Sequence, residues 1–405
     1  MSEGDSVTEV TSTGFVERMM NSVGGALLGL GLFGASFFVL WWNEGNVVAE
    51  KEAIAELQQF SEIKVDATSE SFNNKIVHTS GKLDSVERLG DTFLVPGPYL
   101  NLQRTVEMYQ WVEKKETKTE KKTGGGETKK TTYRYIKDWE ENYQDSSRFK
   151  KQAGHINPSM PYKSEALKVK SSTFGKFNGN PVLERISAGD PLTLKPEMLR
   201  NDGFKQVGNY FIKRVNTNSQ ADSVGDIRVS YTAALAGGTY SILAKQTSPA
   251  TLEAHIAENG KEQFLVASGT ISAKKMINDA EAAAETMANV LRIVGFIMMF
   301  IGMNLVLAPF ATFLDILPIL GAAGRFVTGV FSFLVAGVLS ATTIILGMIA
   351  HNPIVLALVL GGSGFGIFYL YKKAKAKKAL ATAGSGPRAV PTEASEQEPP
   401  RATGT

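Results

Sequence analysis

Four long apolar runs constrain this chain more than any other feature of it. Residues 23–42 (VGGALLGLGLFGASFFVLWW), 293–314, 326–350 and 354–371 contain no Asp, Glu, Lys, Arg or His. Each has about the 20 residues that a helix rising about 1.5 Å per residue needs to cross a hydrocarbon core about 30 Å thick. The first run is too long for the apolar part of a cleaved leader, and it ends on a Trp pair suited to the headgroup region. Pro309 lies inside the second run, where it removes one helical hydrogen bond and can kink the helix. The last two runs are separated only by residues 351–353 and read as a tight antiparallel hairpin. Residues 316–324 read as a shallow interfacial turn.

The spacing of these runs predicts an α+β membrane protein. Four transmembrane helices, one N-terminal and three C-terminal, flank a large mixed α/β, strand-rich extracytoplasmic domain. The Lys and Arg near the span ends set the orientation. Lys372, Lys373, Lys375, Lys377 and Lys378 place the tail on the cytoplasmic side beside anionic lipid headgroups, together with Arg18 and Arg325. Residues 1–22 are then a cytoplasmic arm and 372–405 a basic, then disordered, cytoplasmic tail. Residues 43–292 are lumenal in a eukaryote and periplasmic in a bacterium.

Inside residues 43–292 the periodicity changes twice. Val47, Val48, Ile54, Leu57 and Phe60 continue the first helix out of the membrane. Met276, Ile277, Ala280, Ala283, Ala284 and Met287 form a matching stripe leading into the second. Between these stalks the pattern is strand-like over 76–83, 92–95, 102–112, 131–139, 182–186, 211–215, 226–234 and 239–246. Residues 192–201 and 250–257 read as short helices. Over 102–112 Thr105, Glu107, Tyr109 and Trp111 alternate onto one face. Residues 113–130 hold seven lysines and Gly124-Gly125-Gly126 and read as a mobile, solvated hairpin tip.

Reactive chemistry is sparse. The chain has no cysteine, which removes disulfides, thiolate metal sites and thiol nucleophiles. His78, His155, His255 and His351 form no HExxH pair. There is no GxSxG elbow, no Walker lysine loop and no GxGxxG after a strand. No cofactor is implied. With 43 Lys and Arg against 40 Asp and Glu, the net charge is too small for a nucleic-acid binder. Spans without buried charges argue against an ion-coupled transporter. What remains is interaction. Gly25 and Gly29, and Gly362 and Gly366, recur at the spacing that lets membrane helices approach closely. Glu107, Tyr109, Trp111 and the turn-held His155 form a candidate binding surface.

Several strings together resemble a known family. Trp42-Asn43-Glu44-Gly45, Val77-His78 with Gly81-Lys82-Leu83, Arg104-Thr105-Val106-Glu107-Met108-Tyr109-Gln110-Trp111, and Gly154-His155-Ile156-Asn157-Pro158 with Met160-Pro161 are similar to LUMA, the transmembrane protein 43 family, over residues 14–372. The resemblance implies a non-enzymatic membrane scaffold that self-associates. In animals it implies residence in the endoplasmic reticulum and inner nuclear membrane, with emerin and lamins as partners. In a bacterium the same layout implies the inner membrane. It carries over no catalytic residues. The alternatives from other classes are a membrane-embedded enzyme or regulatory subunit acting on lipids or membrane proteins, and an oligomeric channel.

Overall fold

The computed structural model describes residues 6–66, 69–316 and 318–383. Four helices carry the apolar runs: α1 (Phe15–Glu56), α2 (Ala273–Leu314), α3 (Pro318–His351) and α4 (Pro353–Ala383). Among the described residues, three segments are long and apolar enough to cross a membrane: Phe15–Gln59, Ala273–Leu314 and Ala323–His351. Pro309 is accommodated without breaking α2. The expected turn over 316–324 is shorter, because α3 already begins at Pro318, a residue whose missing N–H costs little in the first helical turn. The helix of the last run continues through the lysine cluster to Ala383, so that part of the tail is helical. The tail beyond Ala383 lies outside the described residues.

Helices α1 and α2 run antiparallel with their small residues meeting. A Cβ on Gly29 would lie 2.6 Å from the Leu305 Cβ and 2.8 Å from the Gly302 carbonyl oxygen; one on Gly302 would lie 2.7 Å from the Phe33 nitrogen. Gly29 of the expected helix-association pair thus meets α2 within the chain, whereas a Cβ on Gly25 would meet nothing closer than Leu305 at 4.0 Å. Leu40, Met299 and Ala336 bring α3 into the same bundle. Above it, Asn43 donates to the Ala288 carbonyl at 3.1 Å, and Glu44, 1% exposed, is held by Arg292 through two bonds of 2.8 and 2.7 Å.

The domain contains two main sheets. The larger has β1 (Ser6–Thr13), β3 (Tyr99–Lys121), β4 (Glu127–Glu140), β5 (Tyr210–Lys213) and β6 (Ile227–Leu235) in the order β1-β4-β3-β6-β5, then Lys205–Val207. The other centres on β2 (Lys75–Asp84) and β7 (Gly238–Ser248), with β8 (Leu265–Ser268) paired to β7. Alternation along β2 and β7 explains how this sheet joins the helices. Val77, Ile242 and Ala244 face a core with Leu83, Phe174, Phe177 and Val182. Their neighbours Ile76 and Leu243 face the stalks, packing with Ile54, Leu57, Met276 and Ile277. The stalks predicted from the apolar stripes are thus continuous with the spans and rooted in the domain.

Four local expectations fail. Residues 182–186 do not form a strand; Pro181 opens a short helix, Asn180–Leu183. Residues 192–201 hold only a single tight turn, Pro196–Met198, and Thr251–Glu253 pairs with β7 as a strand. Residues 92–95 contribute one bridge, Leu94 to Leu199, where Asp91 accepts from the Phe93 and Leu94 amides and bends the chain.

The largest departure concerns the lysine-rich hairpin. β3 and β4 pair in register from Met108↔Glu140 to Lys121↔Glu127, and β1 folds back antiparallel along β4 from Thr13↔Glu127 to Ser6↔Arg134. A three-stranded ribbon therefore replaces the mobile tip and takes in residues 6–13 of the N-terminal arm. Long-range partners order it. Asp315, 2% exposed, accepts from Arg18 at 2.6 Å and from Lys121 at 2.5 Å, and also from Arg325. Arg18 pairs in addition with Glu127 at 3.1 Å and donates to the Gly125 carbonyl, while the Gly124 N–H donates to the Ile316 carbonyl at 3.1 Å. Gly124 and Gly125 both take positive φ, which glycine adopts without a Cβ penalty. The ribbon tip is thus clamped to the end of the helix bundle remote from Glu44.

Candidate functional site

The residues singled out on strand β3 do come together, on one face of the larger sheet. Residues directly opposite in an antiparallel pair share a face, so Tyr109 stands beside Trp139, Trp111 beside Lys137 and Glu107 beside Arg228. Glu107 and Arg228 make a bidentate pair with bonds of 2.6 and 2.7 Å. The Arg228 guanidinium also lies over two rings, 4.6 Å from the Trp139 centroid and 4.7 Å from that of Tyr210. Such a planar cation satisfies a carboxylate in its plane and rings on its faces. Tyr109 packs on Trp139 at 5.4 Å, and Lys137 Nζ sits 4.6 Å over Trp111. Trp139 Nε1 donates to Asp222 at 3.2 Å, and Arg214 ties Asp222 to Asp226. Burial, with the charges of Asp222 and Asp138 beside it, raises the Tyr109 phenol above its ordinary value. The result is a half-buried patch of alternating rings and cations.

His155 belongs to the support of this patch rather than to its surface. It is 2% exposed, stacked on Tyr135 at 4.1 Å and edge-on to Trp111 at 4.6 Å, with Nδ1 against the Lys151 carbonyl at 3.0 Å. Its neighbour Asn157 does what a further strand would do. Its Oδ1 accepts from the Trp111 N–H at 2.7 Å, and its Nδ2 donates to the Trp111 and Gln144 carbonyls, both at 2.9 Å. The GHINP turn thus closes the edge of β3 and fixes Trp111. The sequence reading found the turn and the strand face but missed Arg228, Trp139 and Tyr210. The hairpin of 102–112 with 131–139 was legible and brings Trp139 to this face, but the pairing of β6 and β5 that adds Arg228 and Tyr210 was not.

Other ionisable groups of the domain are engaged in holding it together. His78 lies between Glu62, at 2.6 Å, and the Ile271 carbonyl, at 2.9 Å. His255 bonds Glu56 at 2.7 Å and so fastens the domain to the α1 stalk. Arg104 bonds Asp91 at 2.7 Å and Glu165 at 3.0 Å, and the Tyr231 hydroxyl donates to Asp91 at 2.9 Å. Among the described residues no three His, Asp or Glu side chains gather as a metal site. Lys372, Lys373 and Lys375 are exposed on α4. The side-chain surroundings of Gly362, Gly366, Lys377 and Lys378 lie outside the described residues.

The model of the family described as transmembrane protein 43 matches residues 108–353. Transmembrane protein 43 of Rattus norvegicus is 28% identical over 368 residues, covering 87% of this chain and 91% of the relative. The Homo sapiens protein is 27% identical over 380 residues, covering 90% and 94%. The Drosophila melanogaster homolog is 30% identical over 355 residues, covering 83% and 91%. No solved structure matches. Three helices apolar enough to span a bilayer, in a chain so related, make this an integral membrane protein. Matched by the family model over more than half its length, the chain belongs to the transmembrane protein 43 family.

Proposed function

We propose that this protein is a non-enzymatic multi-pass scaffold that self-associates and organises other membrane proteins. The observation that carries the reading is the continuity of membrane helices and domain. Sheet β2–β7 packs directly on the α1 and α2 stalks through Ile76, Leu243, Ile54, Leu57, Met276 and Ile277, with no flexible linker between. A domain mounted this way holds its surfaces at a fixed attitude to the bilayer. Its ring-and-cation patch around Arg228 has the composition of protein interfaces, where Trp, Tyr and Arg dominate. The outer faces of the bundle are apolar: Leu27, Leu28, Phe38, Phe310 and Phe331 are all exposed in the single chain and suit lipid or a second copy.

In this reading α4 is the fourth span, its lysines lie at anionic headgroups on the cytoplasmic side, and the domain is extracytoplasmic. The membrane is the endoplasmic reticulum and inner nuclear membrane in a eukaryote, with emerin and lamins among the partners, and the inner membrane in a bacterium. The test is capture of the full-length protein from mild detergent with intact-complex mass measurement, beside an Arg228→Ala, Trp139→Ala variant. A defined oligomer carrying other membrane proteins, which the variant loses while remaining oligomeric, supports the reading. A bare monomer overturns it.

A further inference from the structure

The ribbon and the helix bundle both extend from the domain and meet at the Asp315 clamp. Between Asn43 and Arg18, both within helix α1, the helical path is about 37 Å at about 1.5 Å per residue. Between Tyr109 and Lys121, both within strand β3, the extended path is about 40 Å at about 3.3 Å per residue. The two paths are nearly equal in length, and the helical one consists mostly of the apolar run 23–42. A ribbon pinned at both ends therefore lies at bilayer depth wherever α1 does.

Its composition forbids lipid there. Apart from Val7, Val10 and Tyr133, every side chain of residues 6–13, 114–121 and 127–134 is Ser, Thr, Glu, Lys or Arg. Both faces are polar: the cross-strand rows Glu9–Thr131–Thr117 and Thr11–Lys129–Thr119 lie on one, and Thr8–Thr132–Glu116 and Val10–Lys130–Lys118 on the other. Among the described residues no strand pairs with the outer edge of β1, or with that of β3 beyond Met108, where Asn157 covers only Trp111. Unpaired strand edges and charged faces at membrane depth require water or other protein. The bundle presents the opposite surface, apolar and outward.

We propose that the ribbon lines a water-filled passage enclosed by copies of this chain, with the apolar bundles outside against lipid and the ribbons inside. The proposal rests on the self-association reading and goes beyond it. The two free edges, β1 on one side and β3 on the other, are different surfaces of one ribbon, so joining them is a head-to-tail contact, the kind that forms a ring when its rotation closes. Outside the clamp residues Lys121 and Glu127, the three strands carry six Lys and Arg against three Glu, and a lining with that excess of cations favours small inorganic anions. The passage also accounts for how a ribbon rooted in the domain reaches Arg18 at the other end of the first span.

The absence of cysteine allows a direct test with single reporters in the full-length protein, reconstituted in phosphatidylcholine vesicles and treated from outside with a charged, membrane-impermeant thiosulfonate. Thr217→Cys, on an exposed loop of the domain, is labelled only in the outward-facing fraction. Thr117→Cys is expected to be labelled in the whole population, since a passage is reached from either side. Leu28→Cys, outward on α1 at a similar distance from Arg18, is expected to react at least tenfold more slowly. Wild-type vesicles are expected to release chloride, and modification of Thr117→Cys to block the release. Labelling of Thr117→Cys limited to the Thr217→Cys fraction, or to its complement, overturns the passage, as does an oligomer without chloride release. A monomer by intact mass on the same sample overturns the self-association reading as well, so the two failures are distinguishable.

Discussion

Replacing Asp315 by Asn is expected to release the ribbon tip from the bundle. The carboxylate is almost fully buried and receives Arg18, Lys121 and Arg325, with Glu127 the other anion in the cluster. Removing one member of a buried ion pair while its partners stay costs about 3–5 kcal/mol, because the stranded charges are left without a counterion. Lys121 and Arg325 are 27 and 39% exposed and recover part of this from water, which brings the expected loss to about 2–3 kcal/mol. That is about a 30- to 150-fold rise in the open population of the tip. Amide exchange reads it directly, since the Gly124 N–H donates to the Ile316 carbonyl only while the tip is seated. Exchange at Gly124 should accelerate by that factor, with β2 and β7 unchanged. Asp315→Leu combined with Arg18→Met and Lys121→Met should restore much of the protection, because most of the stranded charge is gone. Unchanged exchange in Asp315→Asn would refute the clamp.

Four further outcomes follow from the same geometry. Burial alone would raise the Asp315 carboxyl, but hydrogen bonds from Lys121, Arg18 and Arg325 outweigh it and hold the group below its ordinary value. Its contribution to stability is therefore present above about pH 4 and lost as pH falls through the lower folded value, which a dye on Thr123→Cys should report as loss of tip order only in that acid range. Gly29→Val should lower the melting temperature in detergent, costing about 1–3 kcal/mol by driving α1 from α2, whereas Gly25→Ala, whose Cβ would meet nothing closer than Leu305 at 4.0 Å, should leave it unchanged. Asn157→Ala should cost about 1–3 kcal/mol, seen as faster exchange of the Trp111 amide. Arg228→Lys keeps the charge but loses the fork to Glu107 and the stack on Trp139, and should shift the tryptophan emission with about 1 kcal/mol of lost stability.

What the sequence disclosed and what it hid divide along the range of the forces involved. The spans, the stalks and the central strands were legible because their periodicity is local: Ile54 and Leu57, or Ile242 and Leu243, declare their face within a few residues. The ribbon was hidden because Thr, Lys and Glu carry no apolar period, and what orders it is ionic contact with Arg18 and Asp315, far away in the chain. The binding surface was half legible. Tyr109 and Trp111 announced a face, but Arg228 reached Glu107 only through a strand pairing across 121 positions. His155 was legible as turn-held and was placed with the binding surface; Tyr135 and Trp111, from the two strands it covers, bury it beneath that surface. The glycine pair in α1 was legible as a helix-association surface from its spacing, but Gly302, which meets Gly29 from α2, was not, because nothing local marks it.

The closest approach of α1 and α2, at Gly29 and Gly302, lies between two ionic ties, Arg18 with Asp315 on one side and Glu44 with Arg292 on the other. Mechanically this is a pair of shears with its rivet in place and both ends of the blades tied. Because glycine leaves no side chain at the rivet, the two backbones touch there. Cutting the tie at Asp315 frees only one end of the blades, since the other stays held by Glu44 with Arg292 and by the packing of Ile54, Leu57, Met276 and Ile277 on the sheet. The seat of the domain on its stalks is in this way insulated from what happens at the far end of the apolar bundle.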